Sequence, residues 1–335
     1  AMWTRGRPKR QTNNAEQRSP VNRFVRAILG LFAAPRVNMR EDYEKVRRFQ
    51  RQLAVPRVPT NRAVDHEVPS ETGTHHIPVR VFHPKEQTRD DVLVFFHGGG
   101  WVIGDVESYG PTCINMADLT GAVVVAVDYR LAPEHPFPAG LEDCYQIIRS
   151  LLEDPTPVGI GNADNIVLIG DSAGANLAAV VSLRLHHEGR RGVSRQILLY
   201  PVTYWDHNPD TSPFDSVREH GEGLRLTNAE VQAYFELYVP DPNGRKDWNV
   251  VPLMARDLKD QPRTLIITAE LDLLRDEGEA YGQAQRAAEN DVHVHRVDGA
   301  LHGFIALPRL ARAVREAYEV INAFLDDEAQ TKAPA

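Results

Sequence analysis

The chain has 335 residues, a net charge of −8 and two cysteines. That length fits one large α/β domain with an appendage, or two domains. Hydrophobic residues at 42% and charged residues at 25% are the balance of an ordinary globular protein, and the acidic excess gives no global sign of a nucleic-acid partner. Cys113 and Cys144 are too few for a disulfide framework and fit a reducing compartment, although they leave a single bridge open. No apolar run approaches the roughly 20 residues of a membrane span. The basic N-terminus is followed by no uninterrupted apolar core of the signal-peptide kind, so the expected location is cytoplasmic.

Residues 1–20 are polar and basic, with Arg5, Arg7, Lys9, Arg10 and Arg18, a composition that is disordered in isolation. Segment 21–34 sets Val21, Phe24, Val25, Ile28, Leu29 and Phe32 along one helical face, with Arg23 and Arg26 off it. Segment 40–54 repeats the pattern with Tyr43, Val46, Phe49 and Leu53. Packing against the main domain, as a lid, is preferred for both over a membrane-surface role.

From residue 77 the periodicity changes. Residues 77–82 alternate as an antiparallel strand does. Residues 91–96, VLVFF after Asp91, and residues 122–127 are continuous apolar runs with a helix expected over 111–120 between them. A helix over 141–152 follows, with Leu141, Tyr145, Ile148 and Leu152 at helical spacing. Next come a strand at 165–169, a helix to about 187, and strands at 196–200 and 264–268. A helix at 276–289, a strand at 292–297 and a last amphipathic helix carrying Leu310, Val314, Tyr318, Ile321 and Leu325 complete the pattern. Continuous apolar strands alternating with helices imply a mostly parallel sheet covered on both faces. Residues 202–250 break the alternation. They hold Trp205, Pro209, Pro213 and Phe214, and a helix opened by the capping box Thr227-Asn228-Ala229-Glu230. An insertion this long between core strands reads as a functional lid.

The chemistry centres on NIVLIGDSAGAN, residues 165–176. A β-branched run enters G-x-S-x-G and an apolar helix leaves it, which is the context of a nucleophile elbow at Ser172. Taken alone, the stretch reads equally well as an ordinary glycine–serine loop. A serine hydroxyl needs a base, a group to orient that base, and donors for an oxyanion. His97-Gly98-Gly99-Gly100-Trp101 directly follows the 91–96 strand, and its glycines let backbone N–H groups reach a substrate oxygen. A phosphate loop would continue with Lys and then Ser or Thr; here Trp101 and Val102 follow.

After Ser172 the histidines are 186, 187, 207, 220, 293, 295 and 302. The first two end the elbow helix, the next two fall in the insertion, and 293 and 295 alternate within a strand. His302 lies in the loop after the last strand, above the carboxyl end of the sheet, where a base belongs. The segment after strand 264–268 offers Glu270, Asp272, Asp276 and Glu277. Asp276 and Glu277 suit the first turn of a helix, and Glu270 suits a loop brace, which leaves Asp272 to orient His302.

HGGGW, YRLAPEHPFPA (129–139), GDSAGAN, ELDLLRDEGEAY (270–281) and LHGF together resemble the hormone-sensitive-lipase-like carboxylesterases of the α/β-hydrolase superfamily. The likeness covers roughly residues 77–326. It implies an α/β-hydrolase fold with a helical cap, a triad of Ser172, Asp272 and His302, and an oxyanion hole on Gly99, Gly100 and Ala173. It divides the chain into an N-terminal arm and cap helices (1–55), a first core part (56–201), a cap insertion (202–250) and a second core part (251–335). It implies a small-molecule ester as substrate and no metal or cofactor; a site bounded by such a cap is expected to prefer short to medium acyl chains. Oligomeric state is left open, a homodimer included. An amidase or peptidase would use the same machinery, and a non-catalytic small-molecule receptor would use the same fold without needing the complete triad. Three positions depart from the family's usual pattern. Leu273 stands for proline in the acid loop, Ala175 for glycine after the elbow, and Val251 for the serine that often precedes Pro252-Leu253.

Overall fold

The computed structural model describes residues 37–53 and 61–327. The amphipathic segment 21–34 and the basic residues 1–20 lie outside them. An eight-stranded sheet organises the rest. In chain order its strands are β1 (Ala63–Pro69), β2 (His76–Phe82), β3 (Val92–Phe96), β4 (Val123–Val127), β5 (Ile166–Asp171), β6 (Val193–Leu199), β7 (Arg263–Leu271) and β8 (Val292–Leu301). They lie side by side as β1-β2-β4-β3-β5-β6-β7-β8. β2 runs antiparallel to both β1 and β4, and every pairing from β4 to β8 is parallel.

The apolar runs are buried on both sides because helices cover both faces of the sheet. On one face Val94, Phe96 and Leu168 meet Leu141 and Ile148 of α3 (Ala139–Glu153) and Leu177 and Val181 of α4 (Ala173–His187). On the other, Leu93, Phe95 and Ile169 meet Met116 of α2 (Gly110–Thr120) and Val314, Tyr318 and Ile321 of α8 (Arg312–Asp326). Cys113 belongs to the second layer and Cys144 to the first; both thiols are buried and unpaired, so no bridge links them.

Three elements differ from the sequence expectation. β1 is half-exposed and polar, and as an edge strand it pairs only with β2, so it carries no apolar run to announce it. β8 continues to Leu301 through Asp298-Gly299-Ala300, so His302 stands directly at a strand end. Leu310 precedes the last helix and is exposed.

Between β6 and β7 the chain forms α5 (Asp215–His220) and α6 (Asn228–Tyr238). The capping box is formed: Glu230 N donates to Thr227 Oγ1 at 3.3 Å and Thr227 N donates to Glu230 Oε2 at 2.8 Å. Before the sheet runs α1 (Met39–Leu53), whose Met39, Tyr43 and Val46 pack on the core while Phe49 and Leu53 stay exposed. Arg40 of α1 pairs with Glu236 of α6 at 2.6 Å.

Candidate active site

Ser172 sits between the end of β5 and the start of α4 at φ 56° and ψ −119°. Close approach of backbone makes this turn possible. A Cβ on Gly174 would lie 1.9 Å from the Phe96 carbonyl oxygen, and one on Gly170 would lie 2.4 Å from the Gly174 oxygen. Only glycine fits at either place. Ser172 N donates to Leu199 O of the adjacent strand at 2.9 Å, which fixes the turn against the sheet.

Two further residues stand directly at strand ends on the same edge: Asp272 after β7 and His302 after β8. Parallel strands bring these ends together. His302 Nε2 is 2.8 Å from Ser172 Oγ, and His302 Nδ1 is 2.7 Å from Asp272 Oδ2. With the proton on Nδ1, the ring donates to Asp272 and leaves Nε2 to accept from the serine hydroxyl. Asp272 Oδ1 accepts from Leu274 N at 3.0 Å, which fixes the carboxylate. Leu273, in the usual proline position, is fully buried and its carbonyl accepts from Ser216 Oγ at 2.7 Å, so the acid loop is held without proline.

The glycine loop after β3 approaches the same edge. Gly99 (φ 111°) and Gly100 (φ 59°) take conformations that glycine tolerates best. A Cβ on Gly100 would lie 2.2 Å from the ring of Tyr234 in α6, and one on Gly99 2.2 Å from Ile103 O. Gly99 O accepts from Val102 N and Ile103 N, closing the loop into a turn. Ala173, at the first position of α4, has an amide that the helix itself leaves unpaired. Trp101 follows with its ring stacked on Tyr238 at 4.4 Å and edge-on to Phe235 at 5.2 Å, which couples this loop to α6.

The other acids have different partners. Glu270 lies within β7 rather than in a loop, and its Oε2 accepts from Gly299 N of β8 at 2.6 Å, joining the two strand ends. Asp276 Oδ2 accepts from Ser216 N at 2.8 Å. Glu277 does more than serve a helix start. It is fully buried, accepts from Thr203 N at 2.7 Å and Tyr204 N at 3.1 Å, and lies 2.7 Å from His207 Nε2. The foot of the insertion is thereby tied to α7 (Arg275–Ala287). His295 lies 3.0 Å from Glu316 of α8, away from Ser172.

Asp171 escaped the sequence reading. Its Oδ1 accepts from Gly98 N at 2.7 Å, and its Oδ2 accepts from Tyr109 Oη at 3.2 Å and Tyr200 Oη at 3.4 Å. Burial pushes this carboxyl above the ordinary carboxylate range, against the pull of the Gly98 N–H. The two tyrosine hydroxyls are in turn pushed well up, by burial first and by Asp171 second. The signal was present in the sequence: one charge ends an otherwise apolar strand.

A family model of the α/β-hydrolase fold matches residues 93–306. The chain is 33% identical to an esterase, LipI, of Mycobacterium tuberculosis over 91% of its own length and 94% of the relative's. It is 32% identical to an arylesterase of Saccharolobus solfataricus, covering 81% of this chain and 87% of the other. Among solved structures, an esterase of Pyrobaculum calidifontis superposes with a TM-score of 0.79 at 33% identity, covering 91% of this chain and 97% of that one. Fold and site together define an α/β-hydrolase. The chain belongs to the hormone-sensitive-lipase-like family of that superfamily. Among the described residues no helix is long and apolar enough to cross a membrane.

Proposed function

We propose that this carboxylic ester hydrolase works through an acyl-enzyme on Ser172. The observation that carries the reading is the continuous chain of contacts from Ser172 Oγ to His302 to Asp272, at 2.8 and 2.7 Å. Ser172 Oγ attacks the ester carbonyl as His302 Nε2 takes its proton. The tetrahedral oxygen is met by the amides of Gly99, Gly100 and Ala173, and His302 passes the proton to the departing alcohol. Water, deprotonated by the same nitrogen, then releases the acid. Asp272 holds the imidazole in the tautomer this requires and stabilises the imidazolium.

Substrates are small esters of short to medium acyl chain, bound beneath a cap to which the insertion (202–250) and α1 of the arm (1–55) contribute; residues 1–36 of the arm lie outside the described residues. The Arg40–Glu236 pair and the packing of Tyr234 on Gly100 support that division. The unpaired buried thiols fit a cytoplasmic location. A homodimer is compatible with this reading, which needs only one copy of the chain.

Replacing Ser172 by alanine tests it. Turnover of 4-nitrophenyl butyrate should fall by about 10⁶-fold, with the protein still folded. Retention of activity within tenfold of wild type would place the nucleophile elsewhere.

A further inference from the structure

Arg225 lies between α5 and α6, in the insertion, and faces the base loop. A Cβ built on Gly303 would lie 3.4 Å from Arg225 Nε, 3.6 Å from Cζ and 3.7 Å from Nη2. The guanidinium therefore lies against Gly303, the residue directly after His302, on the side where a Cβ would project. The head group is otherwise unclaimed. Among the described residues no carboxylate pairs with it and no hydrogen bond holds it. Of the acids near it in sequence, Glu219 pairs with Arg275 at 3.1 Å and Glu230 is bonded to Thr227, while Glu222 is exposed. Outside the described residues the sequence holds only two acids, Glu16 and Glu328.

The charge also reaches the floor of the site. The hydroxyls of Tyr109 and Tyr200 are raised chiefly by burial, then by their acidic and tyrosine neighbours, and Arg225 acts against that rise at both. Tyr200 in turn packs edge-on against His302, with ring centres 4.9 Å apart. An exposed, unpaired guanidinium thus lies against the residue that follows His302.

Position relative to the reaction follows from the proton path. His302 Nε2 must reach first Ser172 Oγ and then the oxygen of the departing alcohol. The alcohol therefore leaves alongside residues 302 and 303, while the carbonyl oxygen turns towards Gly99 and Gly100. Arg225 covers the alcohol side. A planar guanidinium with free N–H groups matches a carboxylate through paired charge-assisted hydrogen bonds. We infer that Arg225 is a specificity-determining residue that binds a carboxylate carried on the alcohol portion of the ester substrate. The inference rests on the reading of Ser172 and His302 given above.

A matched pair of aryl esters tests it: 4-acetoxybenzoate and its methyl ester, which differ in charge but hardly in shape. Each variant is compared with wild type on the same ester, so the difference in leaving-group reactivity cancels. In Arg225→Ala, kcat/KM on the anionic ester should fall about fivefold, the scale of an exposed ion pair, with the neutral ester changed less than twofold. Arg225→Lys should keep most of the preference. Added salt should lower wild-type kcat/KM on the anionic ester and leave the Ala variant unaffected. Equal losses on both esters, no loss on either, or no wild-type turnover of 4-acetoxybenzoate would overturn the assignment. Ser172→Ala separates the two claims. If it abolishes turnover of both esters while Arg225→Ala fails to discriminate, only the role of Arg225 is lost. If it leaves turnover intact, the nucleophile assignment falls first.

Discussion

Asp171 shows how one side chain can shape the site without touching substrate. It bonds the amide of Gly98, and so joins the glycine loop to the residue before Ser172. Its carboxyl is raised by burial above the value it has in the unfolded chain. The folded protein therefore takes up this proton at a higher pH than the unfolded chain does. Stability linked to the protonated form is present at low pH and is lost as pH rises through the folded value. Asp171→Asn keeps an acceptor oxygen for Gly98 and removes the titration. As pH is lowered towards the ordinary carboxylate range, the wild-type melting temperature should drop less than that of Asp171→Asn. Parallel curves would show that the carboxyl does not titrate differently in the folded state. The same residue marks what a sequence reading misses: Ser172, Asp272 and His302 were legible because each sits in a contiguous motif or at a strand end, while the partners of Asp171 are scattered over residues 98, 109 and 200.

At the scale of elements, α1 does more than cover a face of the domain. Arg47 donates to Val102 O at 2.7 Å and Ala132 O at 2.9 Å, and pairs with Glu134 at 2.8 Å. Gln50 Oε1 accepts from Gly104 N at 3.2 Å, and Arg51 pairs with Asp105. The helix thus clasps residues 102–105, the direct continuation of the glycine loop. Arg47→Ala removes a charged donor from two backbone oxygens, which costs about 1–3 kcal/mol of stability. If α1 belongs to the cap, KM for soluble esters should rise several-fold while kcat changes less. A loss of stability with unchanged KM would leave α1 a packing element alone. Helical spacing marked this segment as amphipathic: Tyr43 and Val46 pack on the core, while Phe49 and Leu53 are exposed and Arg47, Gln50 and Arg51 make the polar contacts. Periodicity reports which residues share a face, not which partner that face meets.

At the scale of the whole molecule, the parallel strands β3 to β8 deliver Ser172, Asp272, His302 and the glycine loop to one edge of the sheet. That arrangement was legible because strands buried on both faces must be continuous apolar runs, as 92–96, 123–127 and 166–169 are. The edge strand β1 was not, because its exposed positions carry Asp65 and Glu67. The insertion was recognisable by its length, but its anchorage was not: Glu277, read as a helix-start residue, lies buried against Thr203, Tyr204 and His207. A site with Tyr234 packed over Gly100 is bounded, so acyl length should be restricted. kcat/KM should be highest for esters of short to medium acyl chain and collapse on emulsified trioleoylglycerol. Faster hydrolysis of trioleoylglycerol than of tributyrin would require an open acyl site.

Ser172, activated by His302, is proposed as the group that becomes acylated. Treatment with a fluorophosphonate followed by peptide mass spectrometry identifies that serine, because a hydroxyl activated by a neighbouring base reacts far faster than an ordinary one. One adduct per chain is expected, on the peptide carrying Ser172, with loss of esterase activity in step with labelling and no labelling of Ser172→Ala. An adduct on another serine, or full labelling of Ser172 with activity retained, would contradict it.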